Sequence, residues 1–96
     1  MKPSEALRKH RQEVLEIIAS HSVTNPRVFG SVSRGEDTEE SDLDILVDAT
    51  YDINYVDLFL LQEDLADTLG VSVDILTPGE LRPRIRERVL SEALAL

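Results

Sequence analysis

The sequence predicts a single α/β domain spanning residues 1–96, a small sheet of three strands flanked by about four helices. Three observations lead there. A chain of 96 residues with 42% hydrophobic content can bury one core but not two. Its apolar inventory is aliphatic, since two Phe, two Tyr and no Trp leave Leu, Ile and Val to fill the interior, as a helix-covered sheet requires. The apolar positions also switch repeatedly between helical and strand spacing along the chain.

Taken in order, residues 4–20 carry Leu7, Val14, Leu15, Ile17 and Ile18 at helical spacing, with Ser4 after Pro3 as the expected N-cap. Thr24, Asn25 and Pro26 end that helix, and Arg27, Val28 and Phe29 form a short strand that stops at Gly30, where a short helix or turn begins. Beyond a polar, acidic stretch, residues 42–48 read as a strand with Leu43, Ile45 and Val47 on one face and Asp42, Asp44 and Leu46 on the other. Leu58, Leu61, Leu65 and Leu69 make one helical stripe, closed by Gly70 at the C-terminal cap. Residues 71–77 form the third strand, with Asp74 among β-branched neighbours. A last helix opens at Pro83 and carries Ile85, Val89, Leu90, Ala93 and Leu94. The order helix, strand, turn, strand, helix, strand, helix implies two or three layers. The sequence shows no repeat, linker or low-complexity segment.

Charge narrows the function. The formal net charge is -9, and 14 acidic residues but no Lys or Arg lie between residues 35 and 81. All ten basic residues sit at or before Arg34 or within residues 82–88. A long nucleic acid is a poor partner for that middle, because such binding draws on phosphate neutralisation by Lys and Arg. The chain has no cysteine, so disulfides and thiolate zinc sites are excluded. The N-terminus is charged throughout, and the longest apolar run, residues 58–61, is far too short for a membrane span. The cytoplasm is the expected compartment.

The candidate chemistry lies in two short motifs. Asp42 and Asp44, two apart in a strand, present both carboxylates on one face, where they repel unless a cation lies between them. With Asp74 in a similar strand setting they form a hard, oxygen-rich site suited to Mg²⁺ or Mn²⁺. Two such ions, about 3.5 to 4 Å apart, would activate an attacking hydroxyl and stabilise the leaving phosphate oxygens. Gly30 and Ser31 stand where a strand ends, so backbone N–H groups, the missing side chain and a hydroxyl can all approach an anion. Arg34 adds a charged donor for a triphosphate.

Gly30-Ser31, ten intervening residues, then Asp42-Leu43-Asp44, with Asp74 as a third acid, resemble the signature of the DNA polymerase β-type nucleotidyltransferase superfamily. More narrowly, VFGSVSRGEDTEESDLDILVD and VSVDIL in so short a chain resemble the minimal nucleotidyltransferase family, whose members are encoded beside HEPN-domain proteins as toxin–antitoxin pairs of type VII. That resemblance implies the nucleotidyltransferase fold with a mixed sheet, Asp42, Asp44 and Asp74 as ligands of two Mg²⁺ ions, and Asp74 as an aid to deprotonating the acceptor. It implies that Gly30 and Ser31 hold the β and γ phosphates of ATP. It also implies transfer of AMP to a tyrosine of a HEPN ribonuclease toxin, silencing it. Two other readings stay open: neutralisation by binding and occlusion alone, and nucleotidyl transfer to a small molecule or an RNA end.

The remaining polar residues are less informative. Arg82 and Arg86 share one stripe of the last helix, and Arg84 and Arg88 another, either as a solvated face or as contacts to nucleotide or partner. His10 and His21 read as surface residues. Tyr51 and Tyr55 are expected to pack the start of the long helix or line a base pocket. Asp48, Asp52 and Asp57 are expected to be solvated, and residues 36–40 to form an exposed acidic loop.

Overall fold

The computed structural model describes residues 1–49 and 54–96; Tyr51 and Asp52 lie outside the described residues. The chain runs α1 (Pro3–Lys9), α2 (Arg11–Ala19), β1 (Val23–Phe29), β2 (Leu43–Ala49), α3 (Tyr55–Leu69), β3 (Val73–Leu76), a 3₁₀ turn (Pro78–Glu80), α4 (Pro83–Glu92) and β4 (Leu94–Ala95). The sheet is mixed, in the order β3-β2-β1-β4. Strand β2 pairs antiparallel with β1 and parallel with β3, and β4 closes antiparallel on β1.

The alternation within β2 sorts the two layers. Leu43, Ile45 and Val47 are fully buried against α1, α2 and α3, together with Val14, Leu61 and Leu65. Leu46 points the other way and forms a second, smaller core with Phe29 of β1 and Val89 of α4. So α4 covers part of the opposite face and leaves the rest open.

Four expectations need correction. The first helix is two helices, hinged at His10, whose φ of -112° and ψ of 22° leave helical geometry. The hinge lets Ala6 and Leu7 reach the same core as Val14 and Ile18. Ser4 is not the N-cap; Lys2 holds that position, and the Ser4 N–H donates to the Asp37 carboxylate at 2.9 Å. Strand β1 begins at Val23 rather than Arg27, because Asn25 adopts a φ of +52° and Pro26 follows, which the strand absorbs as a register shift between Thr24 and Arg27. A fourth strand exists: the last helix stops at Glu92, and Leu94 and Ala95 pair with Val28 and Arg27.

Two residues finish the ends of α3. Asn54 caps α3 by accepting the Asp57 N–H at 2.9 Å, and Gly70, at a φ of +70°, ends it. On the outer edge of the sheet, the Gln62 side chain of α3 accepts the Ile75 N–H of β3 at 3.0 Å. Among the described residues, no helix is long and apolar enough to cross a membrane.

Candidate active site

The open part of the second sheet face carries the acids. Parallel pairing sets Asp44 of β2 level with Asp74 of β3, while antiparallel pairing sets it level with Phe29 of β1. Residues level with each other in adjacent strands project to the same side, so the two carboxylates are neighbours by register. Asp42 precedes β2, and the Leu43 N–H bond to the Ser72 carbonyl, at 2.8 Å, ties that entrance to the β3 side.

Asp44 feels this crowding most. Burial raises its pKa from 3.8 to about 6, with the charges of Asp74 and Asp42 adding to the rise and Arg34 opposing it. A half-buried carboxylate beside two others is a site where a hard cation would relieve both desolvation and repulsion. The all-oxygen donor set therefore fits Mg²⁺. Among the described residues, no three acidic or histidine side chains are gathered into a finished metal cage. Mutual repulsion of carboxylates with no cation between them favours that separation.

Gly30 forms the wall beside Asp44. Its φ of +72° suits glycine, and a Cβ there would collide with the Asp44 carboxylate. The segment after it is a set of turns, the turn and not the short helix of the two forms expected from sequence. The Arg34 N–H donates to the Gly30 carbonyl at 3.3 Å, the Glu36 N–H to the Ser31 carbonyl at 2.9 Å, and the Ser33 hydroxyl to the Gly30 carbonyl at 2.8 Å. The acidic loop that follows is not wholly exposed, because Asp37 is buried on the N-terminus of α1. Burial alone would raise the Asp37 pKa, but its hydrogen bonds with Ser4 outweigh that and hold it below the usual range.

Two clefts flank the acids. One, of about 440 Å³, lies between Gly30 and α4, where Arg34, Arg84 and Arg88 surround an apolar floor that includes Phe29 and Ile85. The other, of about 330 Å³, is bordered by Asp42, Asp74, Gln62, Glu63 and Ser72. Within the first, Glu92 accepts from Arg34 at 3.2 Å and from Arg88 at 3.3 Å. Arg34 also reaches Glu36 at 3.2 Å.

The four arginines of the C-terminal segment thus divide. Arg86 donates to the carbonyls of Pro78 and Leu81 at 2.8 and 2.9 Å and fixes the start of α4, whereas Arg84 and Arg88 face the cleft. Sequence reasoning did not single out Glu92 or Gln62; an i, i+4 match between Arg88 and Glu92 was the available signal for the former. Tyr55 does not pack the helix start: it is 73% exposed and borders a separate hollow with Asp48 and Thr77. Asp48 is held by Arg27, at 3.0 Å, and is not free in solvent.

Carboxylates grouped on one face of a mixed sheet, beside a tight Gly-Ser turn, define a protein of the nucleotidyl-transfer class. The chain belongs to the nucleotidyltransferase domain family, which it matches over residues 7–96. A solved structure described as a provisionally assigned minimal nucleotidyltransferase shares 46% identity and superposes with a TM-score of 0.85, covering 97% of this chain and 95% of that one. A Methanocaldococcus jannaschii chain, provisionally named a protein adenylyltransferase, is 36% identical over 84 residues, 88% of this chain and 90% of its own length. The protein adenylyltransferase MntA of Thermococcus cleftensis is 35% identical over 88 residues, 92% of this chain and 86% of its own. A toxin–antitoxin crystal structure with AMP-PNP has the same fold, with a TM-score of 0.76 at 21% identity over 88% of this chain and 69% of that one.

Proposed function

We propose that this chain is a Mg²⁺-dependent protein adenylyltransferase that moves AMP from ATP to a tyrosine of a HEPN ribonuclease toxin and so acts as its antitoxin. The observation that carries the reading is the level pairing of Asp44 with Asp74 beside Gly30. The names of the adenylyltransferase relatives support the reaction, and those of the toxin–antitoxin neighbours support the setting.

In this reading Asp42, Asp44 and Asp74 would hold the metal, which would supply charge neutralisation at the α-phosphate and a more acidic acceptor hydroxyl. Gly30 and Ser31 offer a close approach and a hydroxyl to the β and γ phosphates. Asp74, bordering the second cleft, takes the proton from the tyrosine hydroxyl. The tyrosine oxygen bonds to the α-phosphorus as the bond to the β-phosphate oxygen breaks, and pyrophosphate leaves. The acceptor is a protein surface, which needs no long cationic track.

The test uses the purified chain with the HEPN protein encoded by its neighbouring gene, Mg²⁺ and ATP labelled in the α-phosphate. Label on a tyrosine of the partner is expected, and none with the Asp44→Asn variant. No transfer with any divalent ion rejects the reading. Full neutralisation by an Asp42→Asn, Asp44→Asn double variant assigns the chain to occlusion instead, and label on a small molecule or RNA end reassigns the acceptor.

A further inference from the structure

The second basic cluster of the sequence lies some fifty residues beyond the Gly-Ser turn, yet the fold brings it back beside that turn. Pairing of β4 with β1 anchors the end of α4 next to the strand that leads into Gly30. As a result Arg84 and Arg88, one helical turn apart, line the same cleft as Gly30 and Arg34. Among the described residues, no acidic one other than Glu92 borders this cleft, and Glu92 is shared between Arg34 and Arg88. Arg84 makes no salt bridge among those formed by the described residues. Three guanidinium groups against Glu92 and the Glu36 that also reaches Arg34 still leave a surplus of positive charge here, in a molecule of net charge -9. Guanidinium forks match phosphate oxygens in geometry as well as charge.

We infer that Arg84 and Arg88 of α4, with Arg34, form the seat for the polyphosphate end of the nucleotide, the part that leaves as pyrophosphate. This rests on the nucleotidyl-transfer reading above and extends it to residues outside the Gly-Ser and Asp-x-Asp motifs. Arg82 and Arg86 take no part: the former does not border the cleft, and the latter is committed to the Pro78 and Leu81 carbonyls. The ligand class is an inorganic phosphate chain, whether on a nucleoside or free. A nucleoside monophosphate lacks the portion that this seat would hold.

Titration calorimetry with Mg²⁺ separates the possibilities, using a non-hydrolysable ATP analogue, AMP and inorganic pyrophosphate as probes. Arg84→Ala and Arg88→Ala are each expected to weaken binding of the ATP analogue roughly tenfold, with a parallel loss for pyrophosphate. AMP binding should stay within about twofold, as should the ATP analogue with Arg82→Ala. Arg84→Lys or Arg88→Lys should lose less than the alanine variants, since charge remains without the fork. Both side chains lie outside the cores, and thermal melts of the variants verify folding. Unchanged binding of the ATP analogue by a folded Arg84→Ala, Arg88→Ala double variant overturns the inference alone. Equal losses for AMP and the ATP analogue overturn it too, because the cleft would then hold the nucleoside. If the unaltered chain binds no nucleotide, the nucleotidyl-transfer reading falls and takes this inference with it.

Discussion

The two clefts near the acids differ in sign: one lies on the sheet face that α4 covers, the other at the β3 edge beside α3. The one toward α4 gathers three arginines around an apolar floor, whereas the one toward α3 is edged by Asp42, Asp74 and Glu63. A substrate that is an anion at one end and a neutral hydroxyl at the other would meet complementary surroundings in one orientation only. Asp42 and Asp74 border the second environment, and Gly30, which abuts the Asp44 carboxylate, borders the first. This sorting by charge follows from the fold, which returns Arg84 and Arg88 of α4 to Arg34, while Asp42 and Asp74 belong to the acidic middle of the chain.

Altering Asp44 has the largest expected effect. Asp44→Asn keeps the shape of the face but takes out the central anion, and adenylyl transfer should fall by roughly a thousandfold or more, the several kcal/mol a metal contributes to such a transition state. Single-turnover assay with the partner protein measures it. A loss of less than tenfold would mean that the contrast between clefts does not depend on a metal held there.

Next comes the glycine that borders the arginine-lined cleft. Gly30→Ala forces a methyl group toward the Asp44 carboxylate at a backbone angle that suits glycine. Destabilisation of about 1–2 kcal/mol is expected from the backbone alone, and transfer should fall roughly 10- to 100-fold through displacement of Asp44. Chemical denaturation and the same assay report the two effects separately.

The anionic side also imprints on pH. Because the folded pKa of Asp44 stands at about 6 against 3.8, the native state binds the extra proton between those values. For the chelator-treated chain, stability should therefore decline as pH rises through that window, by at most about 3 kcal/mol and less after solvent screening. Asp44→Asn should flatten the decline and be the more stable chain at pH 7. A metal-free stability that instead rises steadily from pH 4 to 7 would contradict the assignment of Asp44 as the crowded acid.

The smallest effect concerns a residue that serves both sides only indirectly. Asp37→Ala removes the acceptor for the Ser4 N–H and should cost about 1 kcal/mol. The Asp37 contribution is present at neutral pH and lost as pH falls through its lowered pKa. Nucleotide affinity should change less than twofold, which a melt and a titration verify together.

What could be read from the sequence follows from the range of each signal. The period of two in β2 places Leu43, Ile45 and Val47 inside and Asp44 outside, and a stripe of four leucines defines α3, both from neighbours a few residues apart. Asp74 could be named as a candidate, but its register against Asp44 is a long-range pairing that no local pattern contains. The same holds for β4: Leu94 and Ala95 continue a helical apolar pattern locally and become strand only because the edge of β1 is there to pair with. Asn25-Pro26 reads as a turn, and the sheet overrides it by bulging. His10 has neither Gly nor Pro beside it, so the hinge between α1 and α2 leaves no local mark. The roles of Arg84, Arg86 and Arg88 separate only after the C-terminus has been folded back.

The bond from Ile75 to Gln62 bears on how copies of this protein behave when crowded. Exposed strand edges are templates on which other chains can add, and small sheets have two of them. Here a side-chain amide occupies a donor on the outer edge of β3, and the opposite edge is a strand of only two residues. Growth of the sheet by edge-to-edge addition is thereby discouraged at both ends. Gln62→Ala should accordingly leave the fold in place yet shift the chain toward self-association as its concentration is raised.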